Sequence, residues 1–281
     1  MAAVTTGGAR PSALPARRQV GLAGTVRSEF TKIRSIRSTY LALALVVLAG
    51  VAWSIASCAG TASHWSHMSA QARAGVDPTQ SSVVGLALFG QLVIVVLGSL
   101  VITSEYATQA IRTSLTVMPR RGVLYCAKVS VFAAVALVVA LAASFLSFFV
   151  GQGLLASTHA SAMLSQPHVL RAVIASAVYV VLCGLFALGL GAVLRSTPGT
   201  ITAAYGIMFL LPELARALPT AWYQDALRWM PGGQFVAAVT STGSQNVSDH
   251  LFSAWGEIAV LGSYTVILLI AGAVALIRRD A

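Results

Sequence analysis

SEYATQAIRTSLTVMPRRGVLYCAK, Ser104 to Lys128, is a charged, helix-patterned segment set between two long apolar runs, 83–103 and 129–155. Placed on a helix at about 100° per residue, Ala107, Ile111, Leu115 and Met118 fall in one narrow stripe, with Glu105, Gln109, Arg112 and Thr116 opposite. A short helix divided in this way rests its apolar stripe against the ends of neighbouring spans and turns its polar face to water or to a soluble protein. Periodicity leaves two readings open, a docking surface on a membrane protein and a solvated loop helix.

The flanking runs decide the fold class. Of 281 residues, 57% are hydrophobic and only 9% charged, with a mean hydropathy of +0.81. Soluble domains carry roughly 25% charged residues, so an ordinary globular protein is excluded. A helix needs about 20 predominantly apolar residues to cross the hydrocarbon core, and six stretches qualify: roughly 40–60, 83–103, 129–155, 170–194, 200–218 and 254–277. Backbone groups in lipid must be satisfied internally, and the alternation of a β-barrel is missing, so the expectation is an all-α membrane protein with six transmembrane helices.

Charge sets the orientation. With the N-terminus, the loops 104–128 and 195–199 and the C-terminus on one side, that side holds 14 of the 18 Lys and Arg residues, leaving Arg73, Arg171, Arg216 and Arg228 for the other side and the span ends. The positive-inside rule makes the richer face cytoplasmic, with both termini inside the cell membrane. The formal charge of +10 is therefore spread between apolar runs, not gathered on a patch, and no nucleic-acid partner is expected. Residues 1–39 contain no apolar run of signal-peptide length, so the first span is expected to act as an uncleaved anchor.

Cys58, Cys126 and Cys183 are scattered and form no disulfide framework or metal spacing. His64, His67, His159, His168 and His250 all fall on the outer side. HWSH at 64–67 offers a pair at helical spacing, but with no third ligand nearer than Asp77 no metal is expected.

Residues 1–19, rich in Ala, Gly, Pro, Thr and Arg, read as a disordered basic tail, and residues 20–281 as a single transmembrane domain. From Leu22 onward, Leu22, Val26, Phe30, Ile33, Ile36 and Tyr40 form one stripe, opposite Arg27, Thr31, Arg34 and Ser38. This is the pattern of an amphipathic helix in the cytoplasmic interface, with Phe30 inserted and Lys32, Arg34 and Arg37 at the surface; a helix packed on protein is the alternative. Glu29 sits near the apolar stripe and needs a partner, which Lys32 can supply three residues on.

Residues 212–253 are too polar to span and too apolar for a free loop, and read either as a re-entrant helical hairpin before span six or as an extracellular cap. Pro212, Pro219 and Pro231-Gly232-Gly233 break the helices, and Trp222, Tyr223 and Trp229 suit the headgroup level. Glu213, with Arg216 as its partner, is a candidate for a translocation path or outer gate, or else a surface ion pair at a span end. Gln91 and Gln152 are placed to hydrogen-bond across helices, and Gln91 is also a candidate for the path.

Four stretches together resemble the permease subunit of type-two ATP-binding-cassette (ABC) exporters, of the kind common in high-GC Gram-positive bacteria. They are SEFTKIRSIRSTY (Ser28–Tyr40), the segment Ser104–Lys128, Pro231-Gly232-Gly233 with the apolar last span, and the closing IRRDA. Gln109-Ala110 departs from the small pair often found there in the family. The resemblance implies a cytoplasmic coupling helix at 104–118 that receives the stroke of a cytoplasmic ABC ATPase subunit. Its leading contacts would be Glu105 and Arg112, on the polar face shared with Gln109 and Thr116. It further implies a second permease chain, as homodimer or heterodimer, a surrounding of membrane lipid, and export of a hydrophobic or amphipathic compound such as a drug, lipid or peptide.

On the residues alone, this chain has no phosphate-binding GxxxxGK[ST] loop, because its only lysines, Lys32 and Lys128, follow Thr31 and Ala127. No cofactor is therefore expected in this chain; if ATP drives it, as the resemblance implies, ATP and Mg belong to the partner. Two other classes stay open: an integral membrane enzyme, for which Asp249-His250 and scattered serines give no triad spacing, and an ion-coupled carrier or channel, for which membrane-embedded carboxylates would be required.

Overall fold

Long apolar runs containing Ala and Gly can satisfy their backbone in lipid only by coiling on themselves, and the computed structural model of the chain is helical, with no strand among the described residues. It describes residues 22–108, 121–158, 160–215, 217, 219, 222, 227, 229–231, 239–241 and 254–278. The tail 1–19, most of the hairpin 212–253 and the segment 109–120 lie outside these.

Helix α1 (Leu22–Ser35) ends at Ile36, whose extended backbone turns the chain into α2 (Arg37–His64). A 3-10 turn, Trp65–His67, leads to the short α3 (Ala70–Ala74). Asp77 then caps α4 (Pro78–Gly85), accepting the backbone N–H groups of Thr79 and Gln80, with Pro78 in the first turn where a missing N–H costs nothing. Through a π turn, Leu86–Gly90, α4 runs into α5 (Gln91–Ala107). Next come α6 (Arg121–Leu155) and α7 (Val169–Leu194), then α8 (Thr197–Tyr205), joined by a second π turn, Gly206–Leu210, to α9 (Leu211–Ala215). The last helix is α10 (Ala254–Arg278).

Five helical runs among the described residues are long and apolar enough to cross a membrane: Arg37–His67, Pro78–Ala107, Arg121–Thr158, Val169–Leu194 and Trp255–Arg278. They correspond to expected spans one, two, three, four and six. The expected fifth span, 200–218, is not among them: among the described residues it is helical from Thr197 to Ala215, continuing through the π turn, with Pro212 and Glu213 in its last turn. Spans two and three are also longer than expected, because α5 continues through Glu105 to Ala107 and α6 already begins at Arg121. Polar residues at a helix end do not stop the backbone ladder, whereas hydropathy registers them as loop.

The helix α7 lies at the centre, with 78% of its apolar window covered, against 28% for the first run and 22% for the last. Without a hydrophobic drive between helices in lipid, close backbone approach supplies the packing. A Cβ placed on Gly98 of α5 would lie 2.1 Å from the carbonyl oxygen of Gly184 on α7. On the other flank, a Cβ on Gly272 of α10 would lie 3.1 Å from the Gly189 carbonyl oxygen and 2.7 Å from Ala192 Cβ of α7.

Hydrogen bonds across helices add to this. Tyr179 donates to Gln91 Oε1 at 2.9 Å, and Ser54 donates to the Ser147 carbonyl at 2.6 Å. Gln152 donates to the Pro78 carbonyl and Ser82 Oγ, both at 2.9 Å, and accepts the Ala162 N–H at 2.6 Å. The Tyr205 hydroxyl, just before one π turn, donates to the carbonyl of Leu92, just after the other.

Both ends of the bundle are pinned. At one end Asp77 accepts the backbone N–H of Ser241 at 2.6 Å and its hydroxyl at 2.9 Å, while Arg171 donates to the Thr240 carbonyl at 2.6 Å. At the other, Arg121 and Arg195 donate to the carbonyls of Leu276 and Ala275, at 3.2 and 3.1 Å, in the last turn of α10 where no intrahelical donor remains. Arg195 caps α7 in the left-handed conformation, at φ 55°, and its guanidinium lies 4.9 Å from the Tyr106 ring centre. Its partners on two other helices hold it in a backbone region that a non-glycine residue rarely adopts.

We expect Gly98→Ala to lower the thermal midpoint of the purified protein, at a cost of about 1–3 kcal/mol, because the methyl group meets backbone. Gly153→Ala, where a Cβ meets nothing within 4 Å, should leave the midpoint unchanged or raise it. Equal behaviour of the two variants would contradict the close crossing.

Candidate functional site

The face of α1 that carries Thr25 and Glu29 meets the protein, while Arg27, Thr31 and Arg34 are exposed. Thr25 and Glu29 are buried, while Phe30, Ile36 and Tyr40 are about half exposed. A carboxylate turned inward from such a helix needs opposite charge at hydrogen-bond distance. Lys32 supplies one partner, at 2.8 Å from Glu29 Oε1, as its position three residues on predicts. The second is Lys128 of α6, at 2.7 Å from Glu29 Oε2. Both lysines also bond Glu105 Oε1 of α5, Lys128 at 2.5 Å and Lys32 at 3.1 Å.

The four side chains close an alternating ring of two carboxylates and two ammonium groups with no net charge. It draws α1, α5 and α6 together at one point. Lys128 and Glu29 are nearly sealed, with side chains 3% and 7% exposed, and Glu105 is 13% exposed. Lys32, at 44%, is the member that reaches out.

Lysine suits this site because its ammonium is a compact charge whose three donors can be divided between separate carboxylates, where the flat guanidinium fork favours one. Burial works against the charge on Lys32, but the hydrogen bonds and charges of Glu29 and Glu105 outweigh it and raise its pKa above the ordinary lysine value. Lys32 therefore stays charged at neutral pH. Glu105 Oε2 is buried with no hydrogen-bond partner among the described residues.

The ring forms the end of a cavity of about 650 Å³ between α2, α5 and α6. Its walls are apolar, with Leu43, Val96, Leu97, Val131, Phe132 and Val135 among them, and Ser38, Thr39 and Ser104 lie near the charged end. A second, smaller cavity of about 510 Å³ lies between α1, α2 and α6, with Phe30 and Arg34 at its rim.

The other predicted residues are distributed as follows. Arg34 and Arg37 are exposed, and Arg34 lines the smaller cavity. Glu105 lies in the last turns of α5 and faces the protein's own lysines, so its side chain is not on an open polar face as the loop-helix pattern predicts. Gln109, Arg112 and Thr116 lie outside the described residues, as does Arg216. Glu213 is exposed in α9, and Gln91 is buried against Tyr179 and Cys183 on the α7 side of α5. Among the described residues no group of three or more His, Cys, Asp and Glu side chains is placed to hold a metal.

Sequence reasoning missed the role of Lys128, which it counted as a loop charge. Local spacing carried no signal for it, because the nearest carboxylate in the sequence, Glu105, is 23 residues away.

The family model described as ABC-2 family transporter protein matches residues 25–210. That stretch contains the whole ring and both cavities. No individual curated protein matches the chain.

Removing one partner from a buried ion pair strands the other charge, typically at about 3–5 kcal/mol. Lys128→Met should therefore strongly destabilise the purified protein, read as a lowered thermal midpoint or loss of the monodisperse species. Lys128→Met with Glu105→Gln, which removes one charge of each sign, should recover most of the loss. Single and double variants equally damaged would show that the ring is not an energetic unit.

Proposed function

The chain belongs to the ABC-2 family of transporter proteins, and from that premise we propose that this multi-pass membrane permease is the membrane-spanning subunit of an ATP-driven exporter. A separate cytoplasmic ABC ATPase would hydrolyse the ATP, with its Mg, and a second permease chain, identical or related, would complete the pathway. The exported compound would be hydrophobic or amphipathic, since the cavity walls offer mainly apolar surface. The basic end of the bundle, where the ring lies, would face the cytoplasm together with both termini.

One observation carries the mechanism. Glu105 and Lys128 flank the segment 109–120 from its two sides; on α1, Glu105 is bonded to Lys32 and Lys128 to Glu29, and the two are bonded to each other. A force applied to that segment by an ATPase would pass into α5, α6 and α1 together. Within the coupling helix we assign the ATPase contact to Arg112, with Gln109 and Thr116 beside it, and assign Glu105 to transmission of the stroke. Alternating access then follows as rocking of this unit, with the helices packed on it, against the second permease chain.

The neutral ring also favours a permease over an ion-coupled carrier, because its carboxylates are already compensated by lysine. The outer-gate role proposed for Glu213 and Arg216 belongs to the opposite end of the bundle. Gln91, bonded to Tyr179, serves α5–α7 packing in this reading.

Co-purification with a cytoplasmic ABC ATPase lacking spans of its own tests the proposal. Arg112→Glu should reduce recovery of the complex at least about tenfold, equivalent to about 1.4 kcal/mol. Glu105→Gln should leave the complex intact and lower transport-coupled ATPase activity. If Arg112→Glu binds and couples normally, the contact is misassigned; if no ABC ATPase associates with the unaltered chain, the exporter reading fails.

A further inference from the structure

The geometry points to a binding site for one anionic phospholipid in the groove between α2, α5 and α6, with an acyl chain along the apolar wall and the phosphate at Lys32. Ile36, Leu45, Leu92 and Leu100 line the groove and are exposed on the helix flanks, so it opens sideways, toward the hydrocarbon that surrounds a membrane helix. Its volume of about 650 Å³ falls within the roughly 300–1,000 Å³ typical of small-molecule sites.

The sign of the ligand follows from what the charged end leaves uncovered. Glu29 and Glu105 are largely sealed, and each already accepts from both lysines. Lys32 is 44% exposed and uses two of its three donors on those carboxylates, so one donor remains for a ligand. The segment that supplies Lys32 has the same sign, since residues 22–67 carry Arg27, Lys32, Arg34 and Arg37 against the single buried carboxylate of Glu29, with Arg34 lining the smaller cavity. Arg27, Arg34 and Arg37 are all exposed. Ser38 and Thr39 line the groove at this end and add hydroxyl donors suited to phosphate oxygens. An amphipathic amine would meet the exposed ammonium of Lys32, and a second copy of the chain would have to bring an acidic face to the same place.

The site does not depend on the exporter reading, and its test needs no ATPase. Native mass spectrometry of the full chain, released from nanodiscs of equal phosphatidylglycerol and phosphatidylcholine, should show one retained phosphatidylglycerol. Lys32→Gln should reduce that retention about fivefold, the effect of one basic residue at an anionic surface. Val96→Trp, which fills the groove and leaves the ring untouched, should also reduce it. Equal retention of both lipids, retention unchanged in Val96→Trp, or a lipid-free dimer would overturn the proposal. If Lys32→Gln fails to fold, the Val96→Trp result decides.

Discussion

A carboxylate cannot be withdrawn from water without opposite charge at hydrogen-bond distance, and the arrangement of α1, α5 and α6 depends on that constraint. Glu29, Glu105 and Lys128 are each costly where they stand, and two unit charges about 4 Å apart attract by about 4 kcal/mol at an effective dielectric of 20. Only the complete set, with Lys32 closing the ring, makes the burial tolerable. Burying the ring therefore fixes the helices, because any slide of α1 along α5 or α6 opens a charged gap. Beyond the ring, the apolar residues of α2, α5 and α6 line a groove in place of a fully packed seam.

The remainder of the bundle is held differently. Around α7, glycine brings backbones into direct contact at Gly98–Gly184 and Gly189–Gly272, and such crossings tolerate little sliding or separation. Asp77 with Ser241, and Arg171 with Thr240, fasten one end, while Arg121 and Arg195 fasten the last turn of α10 at the other. The protein thus combines a close-packed core with a flank organised by charge. Two π turns, linked by Tyr205 and the Leu92 carbonyl, lie where α5 adjoins the helical run 197–215, and π turns are often found at functional positions.

Much of this was legible in the sequence. Hydropathy located five of the helical runs because length and apolar content are what the bilayer demands, and the need of Glu29 for Lys32 followed from helical spacing. The 200–218 stretch is helical through Ala215 but is not among those five runs, with a proline and a glutamate in its last turn. The ring was not legible as a whole: Lys128 and Glu105 are 23 residues apart and Lys128 and Glu29 are 99 apart, and hydropathy assigns charges at span ends to loops. Helical periodicity put Glu105 on a polar face, but it could not say that this face meets two lysines before it meets water.

In the proposed exporter, the ring makes α1 part of the same moving body as α5 and α6, so that the interfacial helix travels with the segment that meets the ATPase. The most direct test is a distance measurement by pulsed electron paramagnetic resonance in the assembled transporter. One spin label would be placed on α1 through Arg34→Cys and the other on the native, exposed Cys126 of α6, with the buried Cys58 and Cys183 replaced by serine. The distance between the labels should be the same in the nucleotide-free and ATP-trapped states, while in Lys128→Met it broadens or shifts. A distance that changes between the two states of the unaltered ring would contradict the claim that these charges bind the three helices into one unit.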